Sequence, residues 1–327
     1  MFTSRLPSRV PFDGPRRSYP RLRDEALTLA EVLRAAGYRT EGVFSHFYWA
    51  DKRNVGQGFD AVDNADAKDV KGSNKDIAAP RIFKRFQARL DALQARGDEP
   101  WFMMVHYFEP HSTYLRHGPP HDFGKGWMDK YDSEIHFVDE WVGRTVEALR
   151  AAPSGDRTVI AITSDHGEGN GEHGFKWHGQ HIYNEALLVP LILVGEPVST
   201  MLGEAKAEAR VVKTPTALMD LAPTFAEMAG APTPPEFQGR SLLGALRGIP
   251  LEDVPVRAEL MPYPGWKEHI QAVVVGDWKL IRNRTKNTWE LFDLAADPGE
   301  QKNLYRSRKD EAARLRALLT APPTNPG

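Results

Sequence analysis

Cysteine is absent from this chain of 327 residues. The chain therefore encodes no disulfide, no thiolate metal ligand and no cysteine nucleophile. Long apolar runs are missing too, and because none approaches about 18 residues, the sequence predicts no membrane-spanning helix. Neither sign of charge dominates, since 42 Lys and Arg face 44 Asp and Glu and leave a net charge of -2. No overall basic field therefore favours nucleic acid or an anionic membrane as a partner.

The remaining composition is that of a globular protein that buries a core, with 41% hydrophobic and 26% charged residues. The basic N-terminal stretch lacks an apolar segment of about 7 to 15 residues, so it is not predicted to be a secretory signal, and no localisation follows. The histidines are unevenly distributed: of eleven, five lie between His106 and His136 and four between His166 and His181. Such clustering indicates a functional site that uses histidine side chains.

Helix-like and strand-like segments alternate along the first 200 residues. Apolar spacing predicts helices over 29–36, 79–95 and 131–149, and strands over 40–45, 101–107, 158–163 and 187–194. The later strands are too apolar to expose one face to water. The pattern therefore predicts an α/β fold with a mostly parallel sheet and helices on both faces. Ligands of such sheets bind beyond the carboxyl ends of the strands.

A proline-rich stretch at 232–264 interrupts this alternation. Beyond it, residues 271–282 and 288–294 resemble two antiparallel strands, and residues 306–319 resemble a terminal helix. The sequence therefore predicts an α/β domain over residues 1–250 and a small C-terminal subdomain of antiparallel strands and a helix over residues 251–327.

A charged segment follows the predicted strand 158–163 directly. It reads SDHGE at 164–168 and continues with GEHG at 171–174. A carboxylate beside an imidazole on a glycine-rich turn suits a divalent cation at a phosphate or sulfate ester. A polar turn with a capping Asp is the alternative for a bare Asp-His pair, and the strand end and the second Glu-His pair favour the metal site.

Two further segments bring histidines to predicted strand ends. His111, in EPHSTY at 109–114, has the chemistry to contact an anionic ester and to pass a proton to a leaving oxygen near neutral pH. A structural loop histidine is the alternative. His178, in WHGQHIYNE at 177–185, lies beside a glycine and is expected to touch the same anion, whereas His181 is equally well an exposed bystander.

Taken together and in this order, these segments resemble the sulfatases of the alkaline-phosphatase superfamily. The resemblance rests on TLAEVLRAAGYRT at 28–40, VHYFEPHSTY at 105–114, AITSDHGEGNGEHG at 161–174, HGQHIYNEALLVPLIL at 178–193, MDLAPTFAEMAG at 219–230, and GDWKLI with ELFDLAADPGEQKNL between 276 and 304. It covers nearly the whole chain, and the combination of DHGE, EHG and VPLI is quite specific. It implies a sulfatase-like α/β fold and metal-dependent hydrolysis of a small-molecule or glycan sulfate ester.

The resemblance also implies roles for particular residues. Asp165 and His166 match metal ligands, usually for calcium, with Mg²⁺, Mn²⁺ or Zn²⁺ as alternatives. His111 matches a residue that contacts the sulfate or the leaving group, and His178 matches one that contacts the sulfate where other branches have lysine.

Four neighbouring residues match less securely. Lys176 and His173 are predicted to bind substrate, and Glu168 and Glu172 lie near the site. A solvated loop is the alternative for all four.

The chain departs from the sulfatase pattern at its N-terminus. Sulfatases carry two more Asp ligands on their first strand, then a Cys or Ser in a C/S-x-P-x-R motif that becomes formylglycine, the nucleophile. Ser4 and Ser18 do not have that spacing, and residues 2–9 align best with the segment just after the nucleophile. We therefore expect that formylglycine is not encoded here, that a central strand is missing and that this truncated chain alone is inactive. A lineage that has lost its nucleophile is the alternative to truncation.

Two other functions fit the same motifs. One is a phosphodiesterase or phosphonate monoester hydrolase of the same superfamily, because a tetrahedral anionic centre makes similar demands whether it holds sulfur or phosphorus. The other is a non-catalytic domain that binds sulfated glycans, which needs no nucleophile. The sequence indicates no oligomeric state.

Overall fold

The computed structural model describes residues 1–13, 20–65, 77–201, 210–263 and 265–320, so Ser18 lies outside the described residues. The helices of that part are α1 (Leu29–Ala35), α2 (Ala79–Gln94), α3 (Trp127–Ala151), α4 (Asn184–Leu187), α5 (Glu196–Met201), α6 (Leu221–Met228), α7 (Leu243–Leu246) and α8 (Lys309–Thr320). Its strands are β1 (Arg39–Val43), β2 (Ala61–Asp63), β3 (Trp101–Val105), β4 (Ile160–Thr163), β5 (Gly169–Asn170), β6 (Lys176–Trp177), β7 (Leu191–Val194), β8 (Val256–Leu260), β9 (Ile270–Val275), β10 (Trp278–Asn283) and β11 (Thr288–Asp293). None of these helices is both long and apolar enough to cross a membrane.

Helix α1 begins at a capping box that the sequence predicts. The Thr28 hydroxyl accepts a hydrogen bond from the Glu31 amide, and the Glu31 carboxylate accepts one from the Thr28 amide. These bonds satisfy two backbone donors that would otherwise lack partners in the first turn. The apolar face of the helix, with Leu29 and Leu33, then packs against Ala222 of α6.

Strands β1, β2 and β3 form a parallel sheet in the order β2-β1-β3. Val43 of β1 lies opposite Asp63 of β2 and Val105 of β3, so the three strands end side by side. The residues that follow β1 and β3 therefore meet at one edge of the sheet. This parallel sheet, with its helices and the antiparallel C-terminal sheet, confirms the predicted fold class.

The next part of the predicted sheet differs in its pairing. Among the described residues, β4 pairs only with β7, and the two run antiparallel, with Thr163 opposite Leu191. The strand predicted over 187–194 is also shorter than expected. Residues 184–187 form α4, and Pro190, which has no amide to donate, precedes the strand.

A cavity of 1760 Å³ lies between β3 and β4. Both strands line it over their whole length, and no strand of the described ranges pairs with both of them. Met103 of β3 packs towards α2 and α3, whereas its neighbour Phe102 packs towards α1 and α6, so helices cover both faces. The absence of a central strand from this chain stays a prediction.

Strands β8 to β11 form an antiparallel sheet in the order β11-β10-β9-β8. The segment predicted as one strand over 271–282 is a hairpin of β9 and β10. The turn between them contains Gly276, whose φ of 54° is a left-handed conformation that glycine adopts without strain. Leu315 of α8 packs on this sheet against Leu280 and Leu291. The predicted division at residue 250 stays a prediction.

A buried ion pair joins β10 to the loop that follows β11. The Lys279 Nζ lies 2.7 Å from Glu300 Oε1, and neither side chain is exposed to solvent. Lys279 also donates to the Asn184 side chain at 3.0 Å, and the Asn184 amide donates to the Glu300 carboxylate at 2.5 Å. Since Asn184 begins α4, this pair ties the C-terminal sheet to the segment between β6 and β7.

We expect Lys279→Met to lower the free energy of unfolding by about 3–5 kcal/mol, because it leaves the Glu300 carboxylate buried without a counter-charge. The double variant Lys279→Met/Glu300→Leu should recover most of that loss. Urea unfolding measures both, and Arg314→Ala, which breaks an ion pair at the surface, serves as a control with an effect below about 1 kcal/mol. Equal losses in the single and double variants would contradict this account.

Candidate active site

Side chains from three strand ends meet in the cavity between β3 and β4. They are His46, which follows β1; His106 and His111, which follow β3; and Asp165 and His166, which follow β4. His178 joins them from the loop between β6 and α4. One cavity therefore brings together five imidazoles and the carboxylate of Asp165.

The four residues singled out by the sequence lie close together. The His166 and His178 ring centroids are 3.9 Å apart, and the His111 and His178 centroids are 5.3 Å apart. Asp165 Oδ2 lies 3.7 Å from His166 Nε2. A single small anion and a cation beside it would be within reach of all four.

The turn after β4 has to contain glycine at position 167. The Gly167 amide donates to the Ala186 carbonyl oxygen at 2.9 Å. A Cβ at this position would lie 2.2 Å from the Glu185 carbonyl oxygen, which no larger residue tolerates. This close approach of the two chain segments places His166 and Glu168 beside the His178 loop.

Glu168 contacts the Nδ1 atom of the His178 ring. Its Oε1 lies 3.1 Å from His178 Nδ1, and its Oε2 accepts a hydrogen bond from the Tyr114 hydroxyl at 2.7 Å. Burial alone would raise the pKa of Glu168, but the hydrogen bonds from His178 and Tyr114 outweigh it and hold the pKa below its ordinary value. An ionised Glu168 favours the tautomer of His178 with its proton on Nδ1. The Nε2 atom of that ring is then available to a ligand in the cavity.

Backbone carbonyls fix two more rings in the same way. His111 Nδ1 lies 2.8 Å from the Ser112 carbonyl oxygen, and His166 Nδ1 lies 2.8 Å from the Gly167 carbonyl oxygen. Burial lowers the pKa of His111, despite the bond to Ser112. A neutral His111 is therefore expected at pH 7.

Two histidines of the cavity, His46 and His106, were given no role by sequence reasoning, although His106 lies at a predicted strand end. Burial lowers the pKa of His46 to about 4, with His106 and His111 adding to the shift and the charge of Asp165 opposing it. Burial also lowers the pKa of His106, whose Nδ1 is buried without a hydrogen-bond partner among the described residues. Both residues directly follow strands or predicted strands, so the strand-end rule contained the signal.

Asp165 and His166 are the types of side chain that bind a divalent cation, but two ligands are fewer than a stable metal site needs. A carboxylate oxygen and an imidazole nitrogen are donors that Zn²⁺ or Mn²⁺ accepts, whereas Ca²⁺ takes oxygen ligands almost throughout. In the part of the chain that the structure describes, no three His, Asp or Glu side chains stand arranged to hold a metal ion. These two residues alone would hold a cation weakly.

The structure places the other predicted residues outside the cavity. The Lys176 ammonium lies 5.2 Å from the centre of the Trp127 ring, and the Glu172 carboxylate accepts the Asn170 amide at 2.6 Å. His173 Nδ1 lies 2.7 Å from Glu185, and its Nε2 lies 3.0 Å from the Glu300 carbonyl oxygen. Substrate binding by Lys176 and His173 stays a prediction.

Ser4 has a structural environment. Its hydroxyl donates to the Met219 carbonyl oxygen at 2.7 Å and accepts from the Gly239 amide at 3.0 Å, and the residue is fully buried. It does not line the cavity with the histidines.

The His173 contacts predict a pH dependence of stability. Burial alone would lower the pKa of His173, but the hydrogen bonds to Glu300 and Glu185 raise it above its ordinary value. Because the folded protein then binds this proton more tightly than the unfolded chain, the contribution is complete below about pH 6.5 and disappears as pH rises through the raised pKa. His173→Gln should remove this loss between about pH 6 and pH 8, as measured by urea unfolding at both values.

Gln94→Ala, which removes a neutral side chain of α2 outside these contacts, is the control and should keep the wild-type pH dependence. An unchanged difference between the two pH values in His173→Gln would show that other groups cause it.

The fold and this site define a class: an α/β protein with histidines and a carboxylate gathered beyond its strand ends around space for an anionic group. Residues 1–231 match the Sulfatase family, and residues 171–321 match the family described as N-sulphoglucosamine sulphohydrolase, C-terminal. The chain therefore belongs to the sulfatase family.

Curated relatives agree with this membership. The chain is 26% identical over 307 residues to an uncharacterized sulfatase of Escherichia coli, with 79% of this chain and 59% of the relative covered. It is 31% identical over 193 residues to a Delta 4,5-hexuronate-2-O-sulfatase of Bacteroides thetaiotaomicron, with 56% of this chain and 38% of the relative covered. The chain thus spans less than two thirds of the length of either relative.

Solved structures show the same fold. A 2-O GAG sulfatase superposes with a TM-score of 0.78 at 20% identity, covering 97% of this chain and 79% of the other. A phosphonate monoester hydrolase from Silicibacter pomeroyi superposes with a TM-score of 0.67 at 18% identity, covering 92% and 80%.

Proposed function

We propose that this chain provides the anion-binding and proton-transfer residues of a metal-dependent sulfate ester hydrolase. The observation that carries the proposal is the arrangement of His111 and His178, with ring centroids 5.3 Å apart and Glu168 bonded behind His178. The family and the named sulfatases among its relatives support sulfate as the group bound.

His178 is suited to bind the sulfate. The Glu168 carboxylate lies on Nδ1 of His178, so Nε2 is the atom of that ring that would donate a hydrogen bond to the anionic oxygens of the ester. The stacked His166 ring, 3.9 Å away, lines the same cavity and limits the positions open to that anion.

His111 is suited to act on the leaving group. Burial lowers its pKa, so once protonated it is a stronger acid than an ordinary histidine and gives its proton readily to a departing alkoxide oxygen. The contact of its Nδ1 with the Ser112 carbonyl keeps the ring oriented.

Asp165 and His166 would hold the divalent cation, which supplies positive charge that polarises the ester. No C/S-x-P-x-R motif occurs in the sequence, so the residues present provide no formylglycine nucleophile. The chain's share of the reaction is then binding, orientation and proton transfer.

The proposal is tested by the binding of 4-nitrophenyl sulfate to the full chain, measured by calorimetry with Mn²⁺ or Ca²⁺ present. We expect His178→Ala to weaken binding about tenfold or more, because a hydrogen bond to a charged group is lost. Arg314→Ala, which breaks an ion pair at the surface of α8 outside the residues that line the cavity, should leave it unchanged. Equal affinities of the parent and His178→Ala would reject the proposed role.

A second measurement concerns turnover. We expect no hydrolysis of an aryl sulfate or a phosphodiester by the 327 residues alone, because a nucleophile and two carboxylate ligands of the family pattern are missing from them. Metal-dependent turnover that is abolished by Asp165→Ala would contradict this and show that another residue of the chain acts as the nucleophile.

A phosphonate or phosphate ester is the second candidate substrate, favoured by the structural similarity to a phosphonate monoester hydrolase. Binding of 4-nitrophenyl phosphonate tighter than that of 4-nitrophenyl sulfate would favour it. A protein that only binds sulfated glycans would bind the sulfate ester but stay inactive even when a nucleophile-bearing segment is supplied.

A further inference from the structure

A second group of histidines lies outside the candidate active site. His117 and His121 belong to the loop of residues 115–126, and His136 and Glu140 lie one turn apart on α3. None of these four residues, which we name the loop–helix cluster, lines the 1760 Å³ cavity. We propose that the loop–helix cluster binds a divalent cation of the zinc type and thereby fastens the loop to α3.

His121 bridges two residues of α3. Its Nδ1 lies 2.7 Å from the Nδ1 of His136, and its Nε2 lies 3.1 Å from Glu140 Oε2. In the tautomer that these contacts favour, His121 donates a hydrogen bond from Nε2 to Glu140, and its Nδ1 accepts the hydrogen bond that the Nδ1 of His136 donates. A carboxylate behind a histidine is the usual support of a metal-binding ring, because it fixes the tautomer and raises the basicity of the other nitrogen.

The separation of the His121 and His136 rings is close to that of two ligand rings in a zinc centre. With Zn–N bonds of about 2.0–2.1 Å and tetrahedral angles, two ligand rings have centroids about 5.2 Å apart and ligand nitrogens about 3.3 Å apart. The His121 and His136 centroids are 4.9 Å apart. Their nitrogens are closer than in a metal site, since they now share a proton, and a cation requires them to separate by about 0.6 Å.

A cation can replace the proton shared by His121 and His136 without changing the charge of either ring. His136 is exposed, so it can carry its proton on Nε2 when its Nδ1 binds the cation. Both rings then stay neutral and each donates one lone pair. In the part of the chain that the structure describes, no three such side chains already stand at metal-ligand spacing, so cation binding requires these rings to move.

His117 is the third ligand of the proposed site. Its side chain is 6% exposed, and its Nε2 is buried without a hydrogen-bond partner among the described residues. Such a nitrogen is costly in a folded protein, and a bound cation would satisfy it. The His117 and His121 centroids are 6.3 Å apart, so the loop must close by about 1 Å to reach tetrahedral spacing, with water as the fourth ligand.

The proposed cation has a consequence for the wall of the active site. Loop 115–126 begins directly after Tyr114, whose hydroxyl bonds to Glu168. The Leu115 amide donates to Glu134 of α3 at 2.8 Å, and the His117 amide donates to Ser133 at 2.9 Å. A cation would add to these links between the loop and α3.

The test uses the full chain with Asp165→Asn and His166→Gln, which removes the candidate ligands of the active site. Titration with Zn²⁺ by calorimetry should show one equivalent bound, and Co²⁺ should give the absorption bands of a tetrahedral centre. His121→Gln and His136→Gln should each abolish both signals, and Glu140→Gln should weaken binding about 10- to 100-fold. His269→Gln is the control for loss of a histidine elsewhere.

His136 is exposed, so its variant should remain folded, which circular dichroism checks. Zn²⁺ should also slow amide hydrogen exchange in residues 115–126 of the parent and not of His136→Gln. Absence of Zn²⁺ binding up to about 1 mM, or binding unchanged in both histidine variants, would overturn the proposal. Neither result depends on sulfate ester hydrolysis.

Discussion

The buried contact of Lys279 with Glu300 is the constraint on which the site depends. Burial lowers the pKa of the lysine and raises that of the glutamate, so the pair exists at a cost in desolvation that only their mutual contact and the bonds of Asn184 offset. In return, the pair connects the C-terminal sheet to the start of α4. The segment that carries His178 is thereby held where it enters α4, by this pair at Asn184 and by the Gly167 amide on the Ala186 carbonyl oxygen.

The site combines this rigid frame with an open interior. Carboxylates, carbonyls and burial give the histidines of the cavity distinct surroundings: Glu168 bonds to Nδ1 of His178, whereas burial lowers the pKa values of His46, His106 and His111. Between β3 and β4, however, largely apolar walls surround 1760 Å³ in which no strand of the described residues lies. The residues that bind an anion are therefore assembled even though the sheet beneath them is not continuous.

Much of the fold follows from local sequence signals. The capping box of α1, the apolar face of α2 and the apolar run of β3 each require only neighbours in sequence to be recognised, and all three occur where they are predicted. Three features did not follow. The hairpin at Gly276 was hidden in a continuous apolar run, α4 replaced the start of a predicted strand, and β2 has only three residues. In each case a turn or a partner strand, rather than the local composition, set where the element begins and ends.

For the candidate site, the sequence by itself determined which residue types follow the strands: Asp165 and His166 after one, His111 after another, and His178 in the loop before α4. Only the tertiary structure decided that His46 and His106 join them, that Glu168 stands behind His178, and that His173 and Lys176 lie elsewhere. The physical reason is that strand ends are encoded locally, whereas the direction of each side chain depends on packing between segments far apart in the chain. The close approach of Gly167 to Glu185 and the contact of His173 with Glu300, 127 residues away, are of that second kind.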